Sequence, residues 1–173
     1  MSVPASRWRT ASPRLTYEPL RLEDLNDFVS LVQDAHVRRY LMDDEIFPRA
    51  WCEQRVRESI ELFDRSGVGL WLARERESGS LAGFCGFLVI AASDPQPQLV
   101  YALFERFISK GYATEMARAS IAHARSQAAF GEIVATVDGV NQASVRVLEK
   151  LGFTRTATVP GTFGDTFTYR LTS

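Results

Sequence analysis

The stretch "ISKGYATEMARA", residues 108–119, places a glycine at the start of a helix. The spacing of its apolar residues predicts a helix over 111–128, which begins at Gly111. The first N–H groups of a helix have no partner inside it, and the helix dipole favours a negative charge beside them. A glycine lets an anion approach this backbone because no Cβ stands in the way. Two interpretations follow: Gly111 ends a loop, or the turn around it holds a phosphate.

Taken alone, this stretch does not decide between a loop end and a phosphate site. It has one glycine, not the three of a dinucleotide-binding fingerprint, and it lacks the Gly-Lys-Ser/Thr of a P-loop. Lys110 would either neutralise a phosphate or simply be solvated. Ala113 and Ala117 lie one helical turn apart, so they let the helix approach a sheet or a bound ligand closely.

The composition is that of a globular protein. Its 173 residues, 46 % hydrophobic and 24 % charged, suffice for a single domain over residues 1–173. The net charge of −1 argues against nucleic acid or a membrane surface as a partner. Two cysteines and two histidines, without metal-ligand spacing, predict no metal site. No run reaches the ~18 apolar residues of a membrane span, so a cytoplasmic location is expected.

The pattern of apolar residues predicts the order β-α-α-β-β-β-α-β-α-β-β. Strands are predicted over 14–20, 68–75, 80–92, 98–104, 132–137, 153–159 and 166–172, and helices over 22–35, 47–67, 111–128 and 141–152. Early strands form hairpins and later ones alternate with helices. This order predicts an α/β (α+β) protein with a mixed, mostly antiparallel central sheet flanked by helices.

Three side chains outside the motifs carry simpler expectations. Cys85 stands in the apolar run "LAGFCGFLVIAA" and is expected to be a buried, inert thiol. Trp71 is expected to pack in the core. His123 is expected at the surface of the helix over 111–128.

A second informative stretch is "NQASVRVLEKLGF", residues 141–153. Asn141 is a good N-cap for a helix, and Gly152 suits the left-handed residue that ends one. The helix has an apolar stripe made by Val145, Leu148 and Leu151. Helix formation explains all of these residues, but it does not single out Ser144, a polar residue in the first turn.

The two stretches together, "SKGYATEMARA" and "NQASVRVLEKLGF", resemble the GCN5-related N-acetyltransferases, the GNAT family. The closer match is to the branch that includes the ribosomal-protein alanine acetyltransferases. The opening "SPRLTYEPLRLEDLNDFVSLVQDAHVRRYL" is similar to the first strand and helix of that branch, and "GDTFTYRLT" to its last strand. The resemblance covers most of the chain and implies the GNAT fold.

The resemblance implies transfer of an acetyl group from acetyl-CoA to a primary amine, without a metal. In this family the N–H groups of the phosphate turn bind the CoA pyrophosphate; the matching residues are Ser109, Lys110, Gly111, Tyr112, Ala113 and Thr114. The pantetheine lies along the strand matching 99–104, which includes Leu103 and Phe104, where that strand splays from 132–137. Asn141 matches a residue that contacts the pantetheine. Ser144 matches one near the sulfur, where a hydroxyl stabilises or protonates the leaving thiolate.

The phosphate turn departs from the family pattern at two positions. Relatives often carry Gln or Arg where this chain has Ile108, and a glycine where it has Ser109. The backbone donors survive both changes, so binding of CoA is still expected.

A third departure concerns the base that deprotonates the amine. Many relatives carry a glutamate at the position that matches Gln98, and an amide cannot accept the proton. Glu105 is expected in solvent instead. The acidic run over 43–45 would either attract a cationic acceptor or be solvated.

Without a strong base, the acceptor amine should have a low pKa. A lysine with a pKa of ~10.4 is neutral at pH 7 about once in 2,500 molecules, whereas an α-amino group is neutral about once in ten. The expected acceptor is therefore a protein N-terminus or a small-molecule amine, attacked directly in a ternary complex. A non-catalytic CoA-binding module and a purely structural domain are the alternatives, and a monomer and a homodimer are both open.

Overall fold

The computed structural model describes residues 5–127 and 130–172, whose strands form one eight-stranded sheet. The strands are β1 (Thr10–Ala11), β2 (Leu15–Pro19), β3 (Leu70–Glu75), β4 (Leu81–Leu88), β5 (Gln98–Leu103), β6 (Glu132–Asp138), β7 (Thr154–Gly161) and β8 (Gly164–Thr172). The helices are α1 (Leu25–Val32), α2 (Ala35–Leu41), α3 (Arg49–Ser66), α4 (Tyr112–Ser126) and α5 (Gln142–Lys150). No helix in the described ranges is long and apolar enough to cross a membrane.

The sheet is mixed, as the order of elements predicted. Its strand order is β1-β2-β3-β4-β5-β6-β8-β7, and every neighbouring pair is antiparallel except β5 and β6, which are parallel. Between β5 and β6 a single residue pair, Gln98 with Val134, is in register. By contrast, β5 pairs with β4 along its whole length. Beyond that pair β5 and β6 therefore diverge and leave a gap, which confirms the splay expected between these strands.

Helices cover both faces of the sheet in its middle. Leu99, Tyr101 and Leu103 of β5 pack on the face that carries α4 and α5. Val100 and Ala102, which alternate with them, pack on the face that carries α1, α2 and α3. At the sheet edge, all eight residues of β7 are exposed. The gap between β5 and β6 thus lies in the part of the sheet that helices cover on both faces.

The predicted first helix, over 22–35, is wrong in extent. The structure has a short 3-10 turn (Leu22–Asp24), then α1, then a separate helix α2. The carboxylate of Asp34 accepts hydrogen bonds from the N–H groups of His36 and Val37, so it caps a new helix instead of continuing the first. The prediction also missed the short strand β1. The last residue of the helix predicted over 111–128 lies outside the described residues.

The expectations for Cys85 and Trp71 are confirmed, and that for His123 is wrong. Cys85 is fully buried, and burial raises the pKa of its thiol to about 12. Trp71 is buried and its Nε1 donates to the carbonyl of Trp8. The ring of His123 is half-buried against that of Trp71, and its Nε2 donates to the carbonyl of Gly67 at 2.6 Å. The helical pattern missed this because the partners come from distant segments.

The close approach of β4 to β3 makes a glycine necessary at position 86. Gly86 has φ +128°, and a Cβ there would lie 2.0 Å from the carbonyl oxygen of Gly69. We expect Gly86→Ala to lower the free energy of unfolding by about 3 kcal/mol or more, measured by urea denaturation. Gly79→Ala is the control, because φ is +72° there and no atom lies within 4 Å of the added Cβ. The control should lose about 1 kcal/mol; equal losses would contradict the prediction.

Candidate active site

The turn between β5 and α4 presents unpaired backbone donors. Gly111 is the N-cap of α4 with φ +79°, and Ser109 also has a left-handed backbone with φ +63°. The first N–H that bonds back into the helix is that of Glu115, which donates to the carbonyl of Gly111 at 3.1 Å. The N–H groups before it therefore have no partner within α4; they belong to Tyr112, Ala113 and Thr114. This arrangement can bind an anion.

The space above Gly111 is nearly open. A Cβ built on this glycine would approach one atom of the described residues within 4 Å, the Nη2 of Arg14, at 3.4 Å. Ser109 stands where many relatives carry a glycine, and its left-handed backbone costs about 1 kcal/mol. The turn therefore holds a left-handed backbone at position 109 without a glycine.

Lys110 forms an ion pair with Glu75 of β3. Its Nζ lies 3.6 Å from Oε1 of Glu75, and the hydroxyl of Tyr112 donates to the same oxygen at 2.7 Å. The hydrogen bonds from Tyr112 and Ser78, together with Lys110, hold the pKa of the Glu75 carboxyl below its usual value. Tyr112 itself is buried and packs beside Phe107. Lys110 thus has an ion-pair partner on β3, although its side chain stays 48 % exposed.

Arg14 and Glu115 form a second ion pair at the turn, which the sequence analysis missed. The Nε and Nη2 of Arg14 both lie 2.7 Å from Oε2 of Glu115. The other carboxylate oxygen accepts from the N–H of Arg14 at 2.8 Å and from the hydroxyl of Ser12 at 2.6 Å. Burial alone would raise the pKa of Glu115, but these hydrogen bonds outweigh it and the pKa lies below its usual value. No local pattern signals the pair, because 101 residues separate its members.

The two residues predicted along the pantetheine, Leu103 at the end of β5 and Phe104 just after it, differ in where their backbone groups point. The N–H of Phe104 donates to the carbonyl of Ala82 at 3.0 Å, and the Phe104 carbonyl accepts from the N–H of Phe107 at 2.9 Å. Because successive residues of a strand turn their N–H and C=O groups to opposite sides, Leu103 and Tyr101 direct theirs toward the gap. The backbone groups of Phe104 are therefore engaged within the protein, whereas those of Leu103 and Tyr101 face the gap.

Ser144 lies at the gap with a partner that the sequence did not identify. Its Oγ is 2.7 Å from the hydroxyl of Tyr101, so a side chain of β5 meets the first turn of α5. Burial raises the pKa of Tyr101 to about 12, although the bond to Ser144 opposes it, so this tyrosine stays protonated near pH 7. Asn141 caps α5 as expected, because its Oδ1 accepts from the N–H of Ser144 at 3.2 Å. The alternation of β5 was the signal, but for Tyr101 it favoured simple packing over a place at the gap.

Gln98 lies on the opposite face of the sheet from Tyr101. It is buried at 8 % exposure, and its Oε1 accepts from the hydroxyl of Thr136 at 3.0 Å. Glu105 is exposed in the turn after β5. In the acidic run, Asp43 and Asp44 are exposed and have left-handed φ values of +51° and +60°. The described residues contain no group of three or more His, Cys, Asp or Glu side chains placed to hold a metal ion.

The chain matches the family described as "Acetyltransferase (GNAT) domain" over residues 14–154. It therefore belongs to the GNAT acetyltransferases, and the family resemblance of the two motifs is confirmed. A Bacillus subtilis (strain 168) protein described as "Uncharacterized protein YkkB" is 28 % identical over 158 residues, which cover 86 % of this chain and 90 % of that protein.

Solved structures of acetyltransferases share the fold. An acetyltransferase from Agrobacterium tumefaciens str. C58 is similar with a TM-score of 0.80 and 21 % identity, covering 100 % of this chain and 96 % of that one. RimL, a ribosomal L7/L12 α-N-protein acetyltransferase in complex with coenzyme A, has a TM-score of 0.77 at 18 % identity. The match covers 94 % of this chain and 96 % of RimL. At these identities the likeness establishes the fold.

The Arg14–Glu115 pair should make stability depend on pH. The pKa of Glu115 is lower in the folded chain than in the unfolded one. Its charge therefore stabilises the fold above the unfolded pKa of about 4.3, and this contribution is lost as the pH falls through the folded pKa. We expect Glu115→Gln to lower the free energy of unfolding by about 1–2 kcal/mol at pH 7 and by less at pH 3, measured by urea denaturation. Glu61→Gln, on an exposed position of α3, is the control. A difference that is the same at both pH values would contradict the prediction.

Proposed function

We propose that residues 1–173 form a single acetyl-CoA-dependent N-acetyltransferase domain that acetylates a primary amine by direct attack in a ternary complex. One observation carries the proposal: the gap between β5 and β6 is bordered by two groups of donors that suit two parts of acetyl-CoA. At one end are the unpaired N–H groups of the turn over 109–114, and beside it is the hydroxyl pair of Tyr101 and Ser144. The first suits a pyrophosphate and the second suits a thioester sulfur.

The groups that would contact acetyl-CoA follow the gap in the same order as the pyrophosphate and pantetheine follow each other in that molecule. The N–H groups over 109–114 would hold the pyrophosphate at the N-terminus of α4. The gap-facing backbone of Leu103 and Tyr101 would pair with the amides of the pantetheine, as a further strand would. Asn141, whose Oδ1 is occupied by its capping bond, has its amide N–H groups to donate there.

The hydroxyl pair fits the departure of a thiolate. Acetyl-CoA supplies the activated acetyl thioester, and the residues around it orient that group and stabilise charge. Ser144 would donate its proton in a hydrogen bond to the sulfur while its Oγ accepts from Tyr101. A gap-facing N–H of β5 would donate to the oxygen that becomes negative during attack.

The acceptor is proposed to be a protein N-terminus or a small-molecule amine of low pKa. Gln98 occupies the position where relatives often hold a base, and a lysine would need about 4.6 kcal/mol to lose its proton at pH 7, against about 1.4 kcal/mol for an α-amino group. The likeness to RimL, which by its description acts on ribosomal L7/L12, makes a ribosomal-protein N-terminus one candidate. A nucleic-acid partner is not proposed.

A second candidate is an acyl-CoA-binding module without turnover. The observation that favours it is the amide of Gln98, buried and bonded to Thr136 where a base would be needed. Stabilisation of the protein by CoA, with no turnover of any amine, would establish this alternative.

The acetyltransferase proposal is tested by release of thiol from acetyl-CoA across peptide N-termini, lysine side chains, polyamines and aminoglycosides. We expect turnover with N-terminal or small-molecule amines, and slowing by about tenfold or more in Ser144→Ala because the thiolate loses its donor. Ser30→Ala, an exposed serine of α1, is the control and should keep the rate. Rapid acetylation of lysine with none of the other amines would refute the assigned acceptor class.

Gln98→Glu tests whether a side chain at position 98 can act as the general base that deprotonates the amine. A carboxylate at this buried site would accept the proton of the amine, so we expect the rate at pH 7 to rise about tenfold. Gln54→Glu, on an exposed position of α3, should leave the rate unchanged. If kcat of Gln98→Glu equals that of the wild type while the variant is folded by circular dichroism, position 98 has no part in proton transfer.

A further inference from the structure

Arg14 lies on the phosphate turn although it precedes it by 96 residues. Its Nη1 donates to the carbonyl of Lys110 at 2.7 Å, and its guanidinium lies 4.6 Å from the centre of the Tyr112 ring. Its Nη2 is the atom that a Cβ on Gly111 would meet, at 3.4 Å. The guanidinium therefore sits beside the face of Gly111 that the missing side chain leaves open.

The contacts of Arg14 leave part of its guanidinium free to donate. An arginine has five N–H donors in a planar fork. Nε and Nη2 each use one on Glu115, and Nη1 uses one on the carbonyl of Lys110. One N–H remains on each of the two Nη atoms, and the side chain is 48 % exposed. Two cationic donors are thus held in place at the edge of the turn.

The other side chains of the turn do not provide a planar fork of donors held in place. Ile108, where relatives often have Gln or Arg, carries no polar atom and is exposed. Lys110 is paired with Glu75, which also accepts from Tyr112 and Ser78. Glu115 brings a negative charge into the first turn of α4, where an anionic ligand would be repelled unless that charge is balanced. Arg14 balances it and has donors left over.

We propose that Arg14 is a ligand of the CoA pyrophosphate and supplies from the β1–β2 turn the polar side chain that Ile108 does not. The inference rests on the proposed binding of acetyl-CoA. A guanidinium suits this role because its fork donates two parallel N–H groups to phosphate oxygens. Glu115 and Tyr112 hold the fork in place, so little side-chain freedom is lost when the ligand binds.

A different role for Arg14 would be indirect: it would only neutralise Glu115 and so relieve repulsion of the ligand. The two roles differ once the carboxylate is removed. With Glu115→Gln, an indirect role leaves Arg14 nothing to neutralise, whereas a direct ligand still contacts the phosphate.

The test measures the Kd of CoA and of 3′-dephospho-CoA by calorimetry for the wild type, Arg14→Met, Glu115→Gln and the double variant. We expect Arg14→Met to raise the Kd of both ligands about tenfold. The same increase is expected when Arg14→Met is made in the Glu115→Gln background. Arg14→Lys, which keeps the charge but not the planar fork of donors, should lose less affinity for both ligands. The kcat/KM for acetyl-pantetheine, which has no phosphate, should not change. Arg118→Met, an exposed position of α4, is the control for loss of one positive charge.

Each contrary result has a separate meaning. No binding of CoA by the wild type would refute the proposed function. If the wild type binds CoA, three results would overturn the assignment of Arg14. The loss of affinity in Arg14→Met could vanish in the Glu115→Gln background, or it could be confined to CoA and spare 3′-dephospho-CoA. An equal loss in kcat/KM for acetyl-pantetheine would be the third. Thermal unfolding without ligand shows whether Arg14→Met is folded; if it is not, Arg14→Lys carries the same comparison.

Discussion

The divergence of two parallel strands is the constraint on which the rest of the site depends. One residue pair joins β5 to β6, so beyond Gln98 the backbone groups of β5 that face β6 have no partner in that strand. Buried backbone groups need partners, and a ligand with its own amides can supply them. The same divergence brings the end of β5 to the turn at Gly111 and leaves α5 to cover the gap with Ser144. A continuous sheet would offer neither the edge nor the space.

The turn at Gly111 shows how a helix N-terminus is kept open to an anion while side-chain charges nearby are balanced. Four charged groups surround it in two pairs, Arg14 with Glu115 and Lys110 with Glu75. Their charges cancel, so attraction for an anion comes from the backbone N–H groups and from donors that the pairs leave unused. The pairs also tie the turn to the β1–β2 turn and to β3, which fixes the direction of those N–H groups before any ligand arrives.

Local patterns predicted the parts of the site that local geometry determines. Gly111 before a helical run, Asn141 as a cap and the splay after position 98 all follow from neighbouring residues or from a family motif. The pairs Arg14–Glu115 and Tyr101–Ser144 join residues far apart in sequence, and no periodicity links them. The break between α1 and α2 was different, because Asp34 is a recognisable cap that the continuous helical spacing concealed. His123 looked like a surface residue because its helix shows one face to solvent, whereas its partners come from β3 and the N-terminal segment.

Gln98 has a structural reason to be an amide. It occupies the one in-register pair between β5 and β6 and is buried, and the hydroxyl of Thr136 satisfies its oxygen. A carboxylate at this junction would be desolvated with the hydroxyl of Thr136 as its partner, and burial would raise its pKa. Such a group would be a better base, but its burial would cost stability at this point of the sheet. The amide accepts from Thr136 beside the one in-register pair of the parallel strands. Under the proposed function the amine would then reach the thioester already neutral, a requirement that an α-amino group meets far more often than a lysine.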